Sequence, residues 1–366
     1  MIKIHRLATR IKSIHLLLVG CVIIAVSVFF LTCTINQKPF DPPTFLKKIR
    51  GTATNEDTFF GSIRDQLRDI VGAGGTPGAI ELTHEAFAQG DIGLIHCHML
   101  MHIIGHIAEA SEIKDSKSIG IYSLDLCGSG YNHGLEAEIA RTNSYNMRDQ
   151  LYNLCTTMQA TSPGVLCYEG AGHAFMTKTL NVDTALSMCD KLVSDGPVRD
   201  PMMCYKGLFA EYTDLIGGDD SETGTRYTGG PPLVLPADTP IAYCASLGKK
   251  YQAICAHEVC GFRAIGDIKR ALTEAVTGNY PLELKAACVG NSAGARVESE
   301  LSRAQTIAIP PMVFSFPKEL RKEYIAGSMW GFNEYNKVGA PKDWQRFCNA
   351  FTEEDRVFCT NLVQKK

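Results

Sequence analysis

The sequence predicts an all-α protein of stacked, disulfide-stapled helical hairpins, solenoid-like or a curved bundle, after an N-terminal transmembrane anchor. Three observations favour this fold: one buried helical pattern carries regularly spaced histidines, cysteines flank the turns between helical patterns, and a motif that begins with cysteine recurs along the chain. Strand patterns are few. The apolar segment 307–317 contains prolines, which suit a loop packed against the body better than a strand.

The chain begins with a predicted membrane anchor at residues 1–33. Four basic residues among the first twelve precede an apolar run at 14–32 that is long enough to span a bilayer. Because basic flanks stay on the cytoplasmic side, the bulk of the chain is expected to be periplasmic or extracellular. Cleavage as a signal peptide and lipidation at Cys21 are the two alternatives. Residues 34–57, which are polar and proline-bearing, are interpreted as a tether.

Composition divides the rest of the chain into two helical lobes. A histidine-bearing lobe at 58–215 is followed by a Gly/Pro-rich insertion or linker at 216–240 and a second lobe at 241–366. Helical patterns cover 58–71, 83–89, 94–113, 318–338 and 352–363, and a glycine-rich break at 71–78 separates the first two. The net charge of −3, with 20% charged residues, gives no reason to expect nucleic-acid binding.

The helical pattern at 94–113 places three histidines on one face. His98, His102 and His106 recur every four residues, whereas His96 points almost the opposite way. A helix rises about 1.5 Å per residue, so His98 and His106 are about 12 Å apart along the axis and cannot both bind one ion. His102 with His106 is the preferred pair, because the glycine between them lets another backbone approach. His98 is then an outer partner or half of a second site.

Cysteines beyond the anchor predict a disulfide framework. Twelve of the fourteen lie there, an even number that allows six disulfides in an oxidising compartment. Four pairs flank short turns and would each join the two helices of a hairpin. These are Cys155 with Cys167, Cys189 with Cys204, Cys244 with Cys255, and Cys348 with Cys359. Cys97 with Cys127 and Cys260 with Cys288 are suggested by similar spans. The alternative, thiolate metal or redox chemistry, is disfavoured because no C-x-x-C motif occurs.

A motif of cysteine, small residues and aromatics recurs before helical runs. It reads CGSGYNHGLEAE at 127, CYEGAGHAFMTK at 167, CYKGLFAEYTDL at 204 and, more weakly, CVGNSAGARVES at 288. Apart from the insertion, the period of roughly 30–40 residues is that of helical-hairpin repeats, which stack because each exposes an apolar face. The architecture resembles the secreted, cysteine-rich arrays of the tetratricopeptide-like class, but the consensus of that class is not present in this sequence.

Two further histidines complete a predicted metal site. His133 and His173 each stand six residues after a repeat cysteine, so they occupy equivalent places on consecutive hairpins. Together with His102 and His106 they form an imidazole set favoured by zinc, copper or iron. A histidine hydrogen-bonded within the core is the alternative for each of them taken alone.

Carboxylates at suitable offsets could assist this site. Glu136 is the first choice as a catalytic residue, because His-x-x-Glu places it on the same helical face as His133. Glu169 and Glu211 are the other two candidates. Any of the three could act as a ligand, a general base or an acceptor that fixes an imidazole tautomer.

Two functions from different classes compete. The first is a metalloprotein: three imidazoles with an open position would favour hydrolytic or redox catalysis, four would favour a closed structural or electron-transfer site, and a bis-histidine haem is a variant. The second is a solenoid scaffold that binds another extracytoplasmic protein, with the histidines as buried polar fillers. Motifs for nucleophile elbows, phosphate-binding loops and H-E-x-x-H helices do not occur.

Overall fold

The computed structural model of this chain describes a helical protein. The described residues are 56–89, 94–108, 126–142, 147–161, 167–194, 201–217, 219–220, 225–226, 239–302, 307–336 and 343–364. Among them no helix is both long enough and apolar enough to cross a bilayer. The predicted anchor at 1–33 and nearly all of the predicted tether lie outside the described residues.

Helices account for almost all of the described structure, which confirms the predicted all-α class. In the first half they are α1 (Glu56–Ala88), α2 (Leu94–Ile107), a 3₁₀ helix (Leu126–Ser129), α3 (Gly130–Thr142), α4 (Met147–Thr161), α5 (Glu169–Thr179), α6 (Val182–Ser194) and α7 (Met202–Gly217). In the second half they are α8 (Pro240–Ser246), α9 (Lys249–Thr277), α10 (Leu282–Ser302), a 3₁₀ helix (Pro311–Ser315), α11 (Lys318–Asn336), α12 (Asp343–Asn349) and α13 (Glu353–Gln364).

Three local predictions are refined by the structure. The break predicted at 71–78 is a kink within α1: two helical segments meet at Gly75, whose backbone is non-helical with φ of 74°, and Pro77 follows it. The segment 307–317 contains no strand; it is a loop and a short 3₁₀ helix whose Val313 is buried. The insertion contains an unpredicted antiparallel pair, Asp219–Asp220 with Thr225–Arg226.

The long helices pack on one another largely in chain order. The series of contacts runs from α1 through α2, α3, α5, α7, α9, α10 and α11 to α13, while the shorter α4, α6 and α8 pack beside members of that series. The described residues belong to one compact unit, and α7 and α9 bring helices from the two predicted lobes into contact. This order places α2, α3, α5 and α7 side by side, which positions the candidate site.

Six disulfides join the described helices, and all six are the predicted pairs. They are Cys97–Cys127, Cys155–Cys167, Cys189–Cys204, Cys244–Cys255, Cys260–Cys288 and Cys348–Cys359. Their Cα–Cα distances of 5.1 to 5.7 Å are in the usual range for disulfides. Each bond closes a stretch of 11 to 30 residues along the chain, so it ties together segments that are near in sequence.

Candidate metal centre

Helix α2 carries three histidines along the face that packs on α3. The ring centroids of His98 and His102 are 5.9 Å apart and those of His102 and His106 are 5.4 Å apart, as expected for residues four apart on a helix. Apolar residues such as Ile103 and Ile104 bury the rest of this helix. The side chain of His96 lies outside the described residues.

Glycines allow α3 and α5 to bring their own histidines against this face. A Cβ at Gly134 would overlap the carbonyl oxygen of His102, and a Cβ at Gly170 would overlap that of His133. The backbones are therefore in direct contact, closer than side chains larger than glycine would permit. Both glycines lie next to or near a site histidine in sequence, so the close contact and the histidine are positioned together.

The result is a group of five imidazoles, which we call the histidine cluster: His98, His102, His106, His133 and His173. The ring centroid of His133 lies 5.2 Å from that of His98 and 6.0 Å from that of His102. The centroid of His173 lies 5.4 Å from that of His102 and 6.3 Å from that of His133. Five residues from three helices, all predicted as site residues, are thus in one place.

Three members of the cluster form the tightest group. One ring nitrogen each from His98, His102 and His133 lie within 4.8 Å of one another. Ligand bonds of about 2 Å require nitrogens roughly 3 to 4 Å apart, so small side-chain rotations would bring these three onto one ion. His98 belongs to this group, although the helix spacing alone favoured His106 as the partner of His102.

Each histidine of the cluster other than His102 has an oxygen atom within 3.4 Å of one of its ring nitrogens. The partners are Cys127 O for Nδ1 of His98 (2.9 Å), Glu138 Oε2 for Nδ1 of His106 (3.4 Å), Glu169 Oε2 near Nε2 of His133 (3.4 Å) and Glu211 Oε2 for Nδ1 of His173 (3.0 Å). Such partners fix the tautomer and orientation of a metal-binding imidazole. The second nitrogen of each ring is the one that could bind an ion.

His102 differs from the other four. It is 1% exposed, and neither of its ring nitrogens has a hydrogen-bond partner among the described residues. Both ring nitrogens of His133 and Nε2 of His106 are also buried without a hydrogen-bond partner among the described residues, although Nε2 of His133 has Glu169 at 3.4 Å. A buried polar atom left without a hydrogen bond costs about 1–3 kcal/mol. A metal ion would satisfy these nitrogens, so the donor set fits a metal.

Burial keeps most of the cluster in the neutral form that binds metals. Burial lowers the pKa of His98, and burial together with the neighbouring imidazoles lowers that of His102 well below its usual value. Burial also lowers the pKa of His133 to about 3, despite the opposing charge of Glu169. His173 is the exception: burial lowers its pKa, but the hydrogen bond to Glu211 and the negative charges of Glu211, Glu169 and Asp214 together outweigh burial, and the net change is upward. Neutral imidazole is the ligand form.

Two of the carboxylates are held ionised by cations on their far side. Burial by itself would raise the pKa of Glu169, but Lys206, whose Nζ lies 2.8 Å from Oε1, and His133 lower it to about 2. Similarly, His106 and Arg141 outweigh burial and lower the pKa of Glu138 to about 2. These carboxylates can therefore stabilise positive charge on the imidazoles beside them.

Glu136, the predicted catalytic residue, is on α3, and its side chain contacts the N-terminus of α5. It is fully buried, and its Oε2 accepts a hydrogen bond from the backbone N–H of Gly170 at 3.0 Å. Burial raises its pKa to about 8, although backbone N–H groups at this helix end oppose the shift. Its Oε1 is 3.9 Å from the sulfur of Cys155, but that sulfur is bonded to Cys167 and offers no thiolate. A catalytic role for Glu136 stays a prediction.

Sequence reasoning did not identify Glu138 and Lys206. Glu138 follows His133 by five residues, a spacing that does not share a helical face, and its partner His106 is on another helix. Lys206 reaches Glu169 across the α5–α7 contact. By contrast, His257 pairs with Glu258 at 2.7 Å on its own helix, in keeping with the structural role predicted for it.

No protein-family model, curated protein or solved structure matches this chain. Function is therefore inferred from the geometry and chemistry of the histidine cluster.

Proposed function

We propose that this chain is a membrane-anchored, extracytoplasmic helical-repeat protein whose histidine cluster holds a transition-metal ion. The observation that carries the proposal is the burial of His102, which has no hydrogen-bond partner among the described residues and four imidazoles around it. A core that needed only polar fillers would satisfy such a ring or replace it with an apolar residue. A metal ion gives the arrangement a physical reason.

The donor set favours particular ions. Imidazole nitrogens suit zinc, copper and iron, whereas magnesium and calcium require oxygen ligands. The described cysteines are joined in disulfides, so thiolates do not compete for the ion. His98, His102 and His133 would hold the ion, with His106 and His173 beside them. The carboxylates of Glu169 and Glu211 would orient the rings and offset the positive charge.

A bound ion would supply Lewis acidity or electron transfer at a site with three imidazoles. The chain itself orients the rings, excludes water by burial and keeps an ionised carboxylate at His133. Glu169, whose Oε2 lies 3.4 Å from Nε2 of His133, is thereby placed to offset positive charge on that ring. Hydrolytic and redox chemistry both remain within the proposal.

The haem alternative is disfavoured by the packing. A porphyrin needs a slot between the elements that carry its axial histidines, but α2 and α3 touch at Gly105 and Gly134, and α3 and α5 touch at Gly170. The scaffold alternative would leave the unsatisfied nitrogens of the cluster unexplained. Both alternatives make measurable predictions, so one experiment separates them from a metal centre.

The proposed location is supported by the disulfides. Six of them in one chain are typical of an oxidising compartment. The basic and apolar residues of 1–33 are the basis for the anchor. The order of helix contacts supports a solenoid-like stack, in which each hairpin covers the apolar face of the next.

Elemental analysis and an absorption spectrum of the purified full chain test the proposal. After expression with added zinc, copper and iron, we expect about one or more equivalents of one of these metals and no Soret band. His102→Ala should lose the metal, whereas His257→Ala, which removes a histidine outside the cluster, should retain it. Less than about 0.2 equivalents of any transition metal in the wild type would overturn the metal centre.

A further inference from the structure

His102 lies at the centre of the histidine cluster. Its ring centroid is between 5.4 and 6.0 Å from the centroids of the four other imidazoles. His98 and His106 flank it on α2, one turn before and one turn after. His133 lies beside His98, with a centroid separation of 5.2 Å, so these two form one side of the cluster. Along α2, His106 lies on the other side of His102 from His98.

A single ion leaves this central ring incompletely satisfied. Neutral imidazole has one nitrogen that donates and one that accepts, at different edges of the ring. An ion bound to the accepting nitrogen leaves the other as a buried N–H, and neither nitrogen of His102 has a hydrogen-bond partner among the described residues. His98, His106 and His173 each have a hydrogen bond to an oxygen at one nitrogen. Neither nitrogen of His133 has a hydrogen bond among the described residues, but its Nε2 lies 3.4 Å from Oε2 of Glu169, whereas His102 has no such carboxylate beside it.

Both sides of His102 carry further imidazoles and a carboxylate. On one side are His98 and His133, with Glu169 next to His133. His106, with Glu138, lies on the other side. His173, with Glu211, lies 5.4 Å from His102 and supplies a fifth ring. Nε2 of His106 is itself buried without a hydrogen-bond partner in the described part of the chain, so His102 and His133 are not the only rings with an unsatisfied nitrogen.

We propose that His102 bridges two metal ions as an imidazolate, one ion also bound by His98 and His133 and the other by His106. This inference rests on the proposed metal centre. Binding of the second ion replaces the N–H proton of His102, which leaves to solvent, and no oxidation or reduction is involved. The first ion then has three imidazoles and the second has two, and both ring nitrogens of His102 have a partner. The carboxylates on both sides offset the charge of the two ions.

Zinc stoichiometry of the full chain is the first test. The purified protein is stripped with a chelator and titrated with Zn²⁺, and the inference expects two equivalents. One equivalent would overturn the bridge and leave the proposed metal centre standing, whereas less than about 0.2 equivalents would overturn both. His106→Ala should retain one equivalent, bound by His98, His102 and His133. His257→Ala, the matched control, should retain two, and far-UV circular dichroism checks that each variant is folded.

Copper paramagnetism tests the bridge itself without any variant. In the wild type loaded with two equivalents of Cu²⁺, an imidazolate between the ions couples their spins, so the electron paramagnetic resonance intensity falls below that of two isolated ions and a half-field signal is present. Two independent Cu²⁺ signals at full intensity would overturn the bridge even if the stoichiometry is two. Retention of two zinc ions by His106→Ala would overturn the assignment of the second ion.

Discussion

Glu211 on α7 accepts a hydrogen bond from Nδ1 of His173 on α5 at 3.0 Å, and the Glu211 side chain is completely buried. This contact joins the histidine cluster to a helix that contributes no histidine to it. It also orients the ring of His173, so that Nε2 is the nitrogen that could bind an ion. The carboxylate is therefore part of the site even though it does not face the metal position.

Replacement of Glu211 should weaken metal binding without removing it. Glu211→Gln keeps the size of the side chain but lacks the charge that raises the pKa of His173. Loss of such an outer partner typically lowers metal affinity by about 10- to 100-fold. Competition with a chromophoric chelator measures the change. Glu258→Gln, which alters the partner of a histidine outside the cluster, is the control and should leave the affinity unchanged; equal effects would contradict the assignment.

Gly105→Ala should destabilise the protein and weaken its metal binding together. The new Cβ would overlap the carbonyl oxygen of Tyr131 and crowd Gly134, so α2 and α3 would have to separate. Overpacking of this kind costs about 1–3 kcal/mol, measured by urea denaturation. Gly72→Ala is a matched control, because a Cβ at Gly72 on α1 meets nothing within 4 Å. That variant should be neutral or up to about 1 kcal/mol more stable.

The pH dependence of the free energy of unfolding should reveal the titration of the Glu136 carboxyl. Its pKa is about 8 in the folded protein, above the ordinary carboxyl value of 4.5, so the folded state keeps a proton that the unfolded state loses. The contribution of this group to the free energy of unfolding is thus greatest below 4.5 and decreases as the pH rises to about 8. The slope is at most about 1.4 kcal/mol per pH unit.

Urea denaturation of wild type and Glu136→Gln at about pH 5 and about pH 8 measures this difference. The variant should lose less stability over this interval, because its amide does not titrate. Glu319→Gln, at an exposed position on α11, should behave like the wild type. An identical pH slope in wild type and Glu136→Gln would show that the carboxyl is already ionised at low pH.

Removal of two different disulfides should distinguish an effect on stability from an effect on metal binding. Removal of Cys97–Cys127 by the double change to serine frees the turn whose carbonyl at Cys127 accepts the hydrogen bond from His98. We expect a loss of about 2–4 kcal/mol and at least about tenfold weaker metal binding. The double serine variant at Cys348 and Cys359 removes a disulfide that joins helices outside the cluster. It should lose stability but keep its metal affinity. Equal metal affinity in both double variants would contradict the role of Cys127.

Much of the framework could be predicted because it follows from local spacing. Cysteines at the two ends of a short connection meet when both flanks are helical, which is why four of the six pairs followed from the turns that they flank. Cys97–Cys127 and Cys260–Cys288 were suggested only by their similar spans. Histidines four residues apart share a helical face by geometry. The position of α11 was also predictable: its pattern covered 318–338 and the helix spans Lys318–Asn336.

The partners of each histidine could not be predicted in the same way. Glu138 meets His106, and Lys206 meets Glu169, through contacts between helices that are far apart in sequence. The rotation and separation of two helices set such contacts, and no periodicity within either helix encodes them. The preference for His106 over His98 as the partner of His102 was drawn from one helix alone, whereas His133 on α3 decides which ring completes the tightest group.

The sequence by itself predicted the helices, the four cysteine pairs that flank short turns and the set of five histidines, because each depends on intervals along one chain segment. Tertiary structure alone decided that these histidines meet around His102 and which oxygen faces each outer ring. The physical reason is the backbone contact at Gly105, Gly134 and Gly170: it brings three helices close enough for their rings to touch, and its geometry depends on all three helices at once.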